Sequence, residues 1–275
     1  MKEKVGKERV DVLLVQQGLC ETREKAKRTV MAGLVCDEKN IRYDKPGEKI
    51  PIATELRLKG QVMKYVSRGG LKLEKAIEVF NIDFSNRILL DIGSSTGGFT
   101  DVALQNGAMM SYALDVGSNQ LAWKLRQDER VEVMEKTNFR YAKLSDFKLG
   151  QPNIATIDVS FISLKLIIPV LRNIISEDGE VVALIKPQFE AGKEQVGKKG
   201  IVRDKKVHMD VLNKMISMMT ESQFDVVKLD YSPITGGEGN IEFLAYLRPC
   251  QTTGNYLGRE IIEELVERAH NHLNE

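Results

Sequence analysis

At 275 residues, 42% hydrophobic and 29% charged, the chain is long enough for one good hydrophobic core and a smaller second one. The longest apolar run in its middle, Val181 to Ile185, is far shorter than the roughly eighteen residues a membrane span needs, and MKEKVGKERVDVLL has no sustained apolar stretch or small-residue cleavage site, so a cytoplasmic location is expected. The net charge of +1 hides a basic front, fifteen Lys and Arg against ten Asp and Glu over residues 1–64, which suits a polyanion or, on charge alone, a solvated lysine-rich face.

The segment from Glu8 to about Lys59 reads as a unit of its own. Arg9 to Gln17 places Val10, Leu13 and Leu14 at helical spacing and stops at Gly18. A second helix starts at Thr22, a good N-cap, and ends at Gly33 with a cationic outer face. Short strands follow at Leu34–Cys36, Ile41–Tyr43 and Glu55–Leu58, separated by the turns Asp37-Glu38-Lys39-Asn40 and Pro46-Gly47. This order resembles the S-four type of small RNA-binding domain, whose R-x-D-x-x-L pattern stands here as Arg9, Asp11 and Leu14. The resemblance implies that the second helix and the turn after it lie on structured RNA. Arg9, Arg23, Lys27, Arg28 and Lys39 would be contacts, with Arg68 just beyond.

After a connector containing Tyr65, Ser67, Arg68 and Gly69-Gly70, strands and helices alternate. Strands are expected at Ile88–Asp91, Ser111–Asp115, Val131–Met134, Ile154–Asp158, Glu180–Ile185, Val226–Leu229 and Ile241–Leu247. Helices fit Gly98–Gln105, Gln120–Gln127, Leu164–Ile175 and Lys205–Thr220. Such alternation predicts an α/β fold with an open, mostly parallel sheet covered on both faces, and ligands at the carboxyl ends of its strands.

The run Ile88-Leu89-Leu90-Asp91 passes directly into Ile92-Gly93-Ser94-Ser95-Thr96-Gly97-Gly98-Phe99-Thr100, a buried strand, a Gly-rich turn and the start of a helix. The spacing is not G-x-G-x-x-G and no phosphate-loop Lys-Ser/Thr follows, so both nucleotide fingerprints weaken. A second acid, Asp115, ends the next strand before Val116-Gly117, at a spacing suited to ribose hydroxyls. Together these resemble the cofactor fingerprint of Rossmann-like class I methyltransferases, which implies S-adenosyl-L-methionine held by Asp91, Gly93, Ser95, Gly97, Gly98, Phe99, Asp115 and Val116. The adenine would fall near Thr137, Asn138 and Phe139.

Four segments set a charged residue at the edge of an apolar element: S-R-G-G-L-K-L around Lys72, D-V-S-F-I-S-L from Asp158, K-P-Q-F-E from Lys186, and G-N-I-E-F around Glu242. Singly, each has an ordinary structural explanation. In this order they resemble the FtsJ-type ribose 2′-O-methyltransferases, and with the front unit they resemble the TlyA family, also labelled haemolysin A. The resemblance implies a Lys72-Asp158-Lys186-Glu242 catalytic tetrad acting on ribosomal RNA, a domain organisation of 1–64 for RNA binding, 65–71 as connector and 72–275 for methyl transfer, and no metal.

The chemistry explains the residue types. A ribose 2′-hydroxyl must lose its proton as it attacks a sulfonium methyl group, and a neutral amine can accept that proton. Burial and a second cation lower a lysine's pKa, so Lys72 and Lys186 are expected to depress one another while Asp158 and Glu242 hold them. The family likeness favours Lys186 as base and Lys72 as stabiliser of the alkoxide; the residues alone leave the choice open. The Gly- and Lys-rich segment from Glu190 to Asp204 is expected to be a flap over the RNA entrance, and the Pro233–Gly239 loop could close on substrate. Cys20, Cys36 and Cys250 are odd in number and scattered, which points to reduced thiols. Two other functions fit the family labels, a ribosome-binding assembly factor without turnover and a membrane-active haemolysin.

Overall fold

The computed structural model describes residues 6–39, 41–59, 64–197, 199–236 and 239–273. Asn40, Lys198, Gly237 and Glu238, which belong to the expected turn, flap and closing loop, lie outside the described residues. The chain divides into two compact units, Met1–Lys64 and Tyr65–Glu275.

The first unit contains β1 (Lys7–Arg9), α1 (Val10–Gln16), α2 (Arg23–Met31), β2 (Val35–Asp37), β3 (Arg42–Tyr43), β4 (Lys49–Pro51) and β5 (Leu56–Leu58). Thr22 caps α2 by accepting a hydrogen bond from Lys25 N at 3.2 Å, satisfying one of the amides that the first turn leaves free. Strands β3, β2 and β5 form one antiparallel sheet, and β1 pairs with β4 in a second, a pairing the sequence pattern did not show. Val10, Leu13, Leu14, Ala26, Val30, Val35, Ile50 and Leu56 form its core. Beside them lies the fully buried Asp11, which accepts from Arg9 Nε and Nη2 at 2.8 and 3.0 Å and from Arg23 Nε at 3.0 Å. The carboxylate is paired as a buried charge must be, and its pKa is lowered, first by the hydrogen bond from Arg9.

The second unit is built on a seven-stranded sheet of β6 (Ile88–Ile92), β7 (Met110–Leu114), β8 (Val131–Met134), β9 (Ile154–Ile157), β10 (Glu180–Ile185), β11 (Phe224–Tyr231) and β12 (Phe243–Pro249). Their spatial order is β11-β12-β10-β9-β6-β7-β8, parallel from β10 through β8, with β12 antiparallel to both β10 and β11. Strands buried on both faces read as nearly continuous apolar runs, as Ile88–Ile92 and Val181–Ile185 do. Alternate residues then serve two cores. Leu89, Ala113, Ile154, Val182 and Leu184 pack with Leu73, Ala76 and Phe80 of α3 (Gly70–Phe80) and with Phe99 and Val102 of α4 (Gly98–Gln105). Leu90, Ile92, Leu114, Ile157 and Ala183 pack with Leu171 of α6 (Ile168–Arg172), Leu212 and Met215 of α8 (Lys205–Glu221), and Ile262 and Val266 of α9 (Arg259–Leu273).

Three expected elements differ. The helix anticipated over Gln120–Gln127 is only α5 (Trp123–Arg126). The one over Leu164–Ile175 is a 3-10 turn at Leu164–Leu166 followed by α6, because Pro169 has no amide to donate and tolerates only a helix's first turn. Gly69-Gly70 is also folded in: Gly70 opens α3, and a side chain there would meet the Tyr65 ring at 2.7 Å. Tyr65 itself is buried, its hydroxyl donating to Glu74 Oε1 at 2.8 Å, while Val66 N donates to Asp101 Oδ2 at 2.8 Å.

Candidate active site

The register of the sheet assembles the site. Ile92 is level with Leu114 on one side and Ile157 on the other, so Gly93, Asp115 and Asp158 all follow the carboxyl ends of adjacent parallel strands. Because β12 runs antiparallel and pairs Phe243 with Ile185, its beginning reaches the same edge, and Glu242 arrives beside the end of β10, where Lys186 follows. Lys72 comes from the first turn of α3. Residues separated by up to 170 positions thus share one small volume.

Lys72 Nζ donates to Glu242 Oε2 at 2.5 Å and to Asp158 Oδ2 at 3.4 Å. Lys186 Nζ forms an ion pair with Asp158 Oδ1 at 2.5 Å without hydrogen-bond alignment; its aligned bond goes to Ser160 Oγ at 3.1 Å. Asp158 therefore bridges two lysines that are each only 7% exposed, and Glu242 is 2% exposed. The expected depression of the Lys72 pKa does not occur. Burial, the largest single influence, pulls it down, but Asp158 and Glu242 together outweigh burial and hold the amine above its usual value, as a cation.

Asp158 is also a wall of a cavity of about 360 Å³, within the size range of small-molecule sites. Its lining includes Gly93, Ser95, Asp115, Val116, Asn138 and Phe139 among the residues expected near the cofactor, with Gln120, Val159, Ser160, Phe161 and Ile162 added by the fold. The Asp115 carboxylate sits at the rim, accepting from Ser95 N at 2.8 Å and Gly117 N at 2.7 Å. Gly93 has φ +85°, and a Cβ there would lie 2.6 Å from the Asp158 carbonyl oxygen, so only glycine allows these two strand ends to approach.

Asp91, Gly97, Gly98 and Phe99 do not line this cavity. Asp91 is buried behind the wall, accepting from Thr100 N and Oγ1 at 3.1 and 2.8 Å and from Thr156 Oγ1 at 3.1 Å. It ties the start of α4 to the sheet, and burial raises its pKa to about 6 despite those bonds. Gly97 makes room for Leu121 and Leu125, Gly98 for Ser67 and Gly70, and Phe99 is core. These residues shape the Gly-rich turn from behind. Gln120 and the Val159–Ile162 stretch carried no cofactor signal in the sequence, because a cavity wall contributed by a loop after another strand leaves no local spacing.

The segment expected as a flap is attached at both ends. Glu190 accepts from Ser163 Oγ at 2.6 Å and Leu164 N at 2.8 Å. The buried Val202 donates its amide to Asn240 Oδ1 at 3.0 Å, and its carbonyl meets His208 Nε2 at 3.1 Å. On the first unit, Arg23 and Arg28 of α2 and Lys39 of the following turn are exposed, and Lys27 is half-buried and pairs with Glu24 at 2.6 Å. Asp11 engages Arg9 through two nitrogens and Arg23 through one. Arg68 is exposed in the turn before α3, in the second unit.

The FtsJ-like methyltransferase family model matches residues 65–248. A protein of Bacillus subtilis (strain 168), provisionally named rRNA methyltransferase YqxC, is 61% identical over 98% of this chain and 96% of its own. The 16S/23S rRNA (cytidine-2′-O)-methyltransferase TlyA of Mycobacterium tuberculosis (strain ATCC 25618 / H37Rv) is 38% identical over 95% of this chain and 96% of its own. A solved structure from Streptococcus thermophilus, provisionally described as a hemolysin, is 57% identical, covers 98% of both chains and superposes with a TM-score of 0.77. The chain therefore belongs to the FtsJ-like methyltransferases, among the relatives that carry the names TlyA and hemolysin A.

Proposed function

We propose that this protein transfers the methyl group of S-adenosyl-L-methionine to a ribose 2′-hydroxyl of ribosomal RNA. The observation that carries the proposal is the Lys72-Asp158-Lys186-Glu242 network at the edge of the cavity, with Asp158 common to both. The cavity's chemistry fits the cofactor. Asp115 would accept from the ribose hydroxyls, Val116, Phe139 and Ile162 would cover the adenine, and Gly93 would let the backbone pass close to the amino-acid part. When bound there, the cofactor supplies an electrophilic methyl group on a sulfonium.

The chain's residues divide the remaining work. Lys72, held as a cation by two carboxylates, is suited to hold the ribose oxygen and to stabilise the charge that develops on it. It is then a poor proton acceptor, and the family likeness gives that part to Lys186. With the cofactor bound, Lys186 would accept the hydroxyl proton as the 2′-oxygen takes the methyl group and the carbon–sulfur bond is given up. Asp158 aligns both lysines, and Glu242 fixes Lys72 from the other side.

The first unit would hold the RNA, with Arg23, Lys27, Arg28 and Lys39 near phosphates, and Arg68 would add a contact from the catalytic unit. The protein would then act where ribosomes are made, in the cytoplasm. The relatives named as cytidine-2′-O-methyltransferases make a ribosomal cytidine the expected target. Lys186→Ala should retain cofactor affinity by calorimetry and lose methyl transfer to ribosomal RNA from a strain lacking the protein. Unchanged transfer would remove Lys186 from the mechanism. Mass spectrometry of nucleosides from the same strain should show a missing 2′-O-methylcytidine, restored by the wild-type chain alone.

A further inference from the structure

The wall of the cofactor-sized cavity has an outer side. Asn138 and Phe139 line the cavity, and the residues that follow, 140–144, line a second depression of about 820 Å³. The same happens on the facing segment, where Ile162 and Ile167 belong to the cavity and Pro169 and Val170 to the depression. The two hollows therefore lie back to back across a shared wall. The outer one is open and has an apolar floor that includes Val170 and Ile174, with Asn173 beside them.

The chemistry of its rim is unusual for a protein surface. The Tyr141 ring is 72% exposed, and the Arg140 guanidinium lies over it at 5.3 Å. Neither Arg140 nor Lys143 forms an ion pair among the described residues; Asp146, the acid close in sequence, accepts from the backbone amide of Lys143 instead. Two cations without carboxylate partners among the described residues, an exposed aromatic ring and an apolar floor are what an unstacked nucleotide strand requires: phosphate neutralisation beside a platform for base stacking. An apolar protein segment would leave both cations facing nothing, and a duplex keeps its base faces stacked and out of reach.

We propose that this depression binds single-stranded RNA flanking the methylated nucleotide, with Tyr141 as the stacking platform and Arg140 and Lys143 as phosphate contacts. The proposal rests on the reading of the protein as an RNA ribose methyltransferase and deepens it, adding a binding surface outside the tetrad and the cofactor cavity. Lys143 is the better cation to substitute, since Arg140 Nε also bonds Asn138 Oδ1 at 3.3 Å, at the cofactor wall.

The test uses the full chain, with equilibrium binding of a fluorescein-labelled single-stranded oligouridylate and of ribosomal RNA from a strain lacking the protein. Tyr141→Ala should weaken binding of both by about tenfold, and Tyr141→Phe should restore it, because the ring face is what stacks. Lys143→Ala should make the dependence of log K on log salt shallower by about 0.7, the value for one phosphate on a single strand. Cofactor affinity should be the same in all three variants. Unchanged RNA binding by Tyr141→Ala, or equal restoration by Tyr141→Leu, would overturn the proposal, the first pointing to a protein occupant and the second to packing alone. Binding is read without turnover, so the two readings fail separately. A wild-type chain that methylates RNA with Tyr141 indifferent removes the cleft alone, whereas one that binds through Tyr141 and never methylates removes the activity alone.

Discussion

Asp91 allows a quantitative test of what the strand-end acid does. Its carboxylate is fully buried, and burial is the largest influence on it; hydrogen bonds from Thr100 and Thr156 pull the other way and recover only part, leaving the pKa raised from 3.8 to about 6. The folded protein thus binds a proton here more tightly than the unfolded chain. The associated stability is fully present below about pH 3.8 and is lost as pH rises through about 6. That interval corresponds to about 3 kcal/mol. Asn in its place can present its oxygen to Thr100 N and its amide to Thr156 Oγ1, with no titration. The expectation is that Asp91→Asn gains on the wild type by roughly 2–3 kcal/mol between about pH 4 and pH 7. Urea unfolding followed by the fluorescence of Trp123, the chain's single tryptophan, reports the unit that carries the change. A stability difference that stays level with pH, or that favours Asp at neutrality, would show a charged carboxylate and refute the burial argument.

His208 acts in the opposite sense. It is buried against His270, Nδ1 to Nε2 at 2.9 Å, and burial lowers its pKa to about 4, so stability falls as pH drops from about 6.5 towards 4, by on the order of 3 kcal/mol. The two groups offset each other over much of one pH window, and Asp91→Asn should therefore lose its stability advantage on acidification, with a urea midpoint that falls more steeply from about pH 7 to pH 4 than the wild type's. Glu242→Gln takes away one of the two carboxylates that keep Lys72 charged, so the alkaline limb of the pH–rate profile should move to lower pH; a limb that does not move would sever Lys72 from that limb. Gly93→Ala meets both a left-handed backbone and the Asp158 carbonyl, a strain of roughly 1–2 kcal/mol or more, and cofactor affinity measured by calorimetry should drop at least about tenfold. Asp11→Ala should make the first unit susceptible to limited proteolysis and weaken RNA binding, with cofactor affinity unchanged.

Some of this was legible along the chain because it depends on neighbours in sequence. The α/β alternation, the Gly-rich turn after Ile88–Asp91 and the charged edges at Lys72, Asp158, Lys186 and Glu242 are local patterns, and apolar periodicity reports burial wherever an element packs on one sheet. The helix α9 also had its signal, Ile262, Leu265, Val266 and Ala269 at helical spacing. The rest required the fold. Only the antiparallel entry of β12 beside β10 brings Glu242 to Lys72, and only the resulting pair of carboxylates reverses the effect of burial on that lysine. Likewise Asp91 and Asp115 are both acids at or near the ends of adjacent strands, yet one is directed behind the Gly-rich turn and the other to the rim of a cavity. Residue types and spacing therefore determined which chemistry the chain could hold. Which side chains meet, and which charge state each keeps, was decided by register and burial, since electrostatic interaction depends on distance and solvent exclusion that a linear order does not contain.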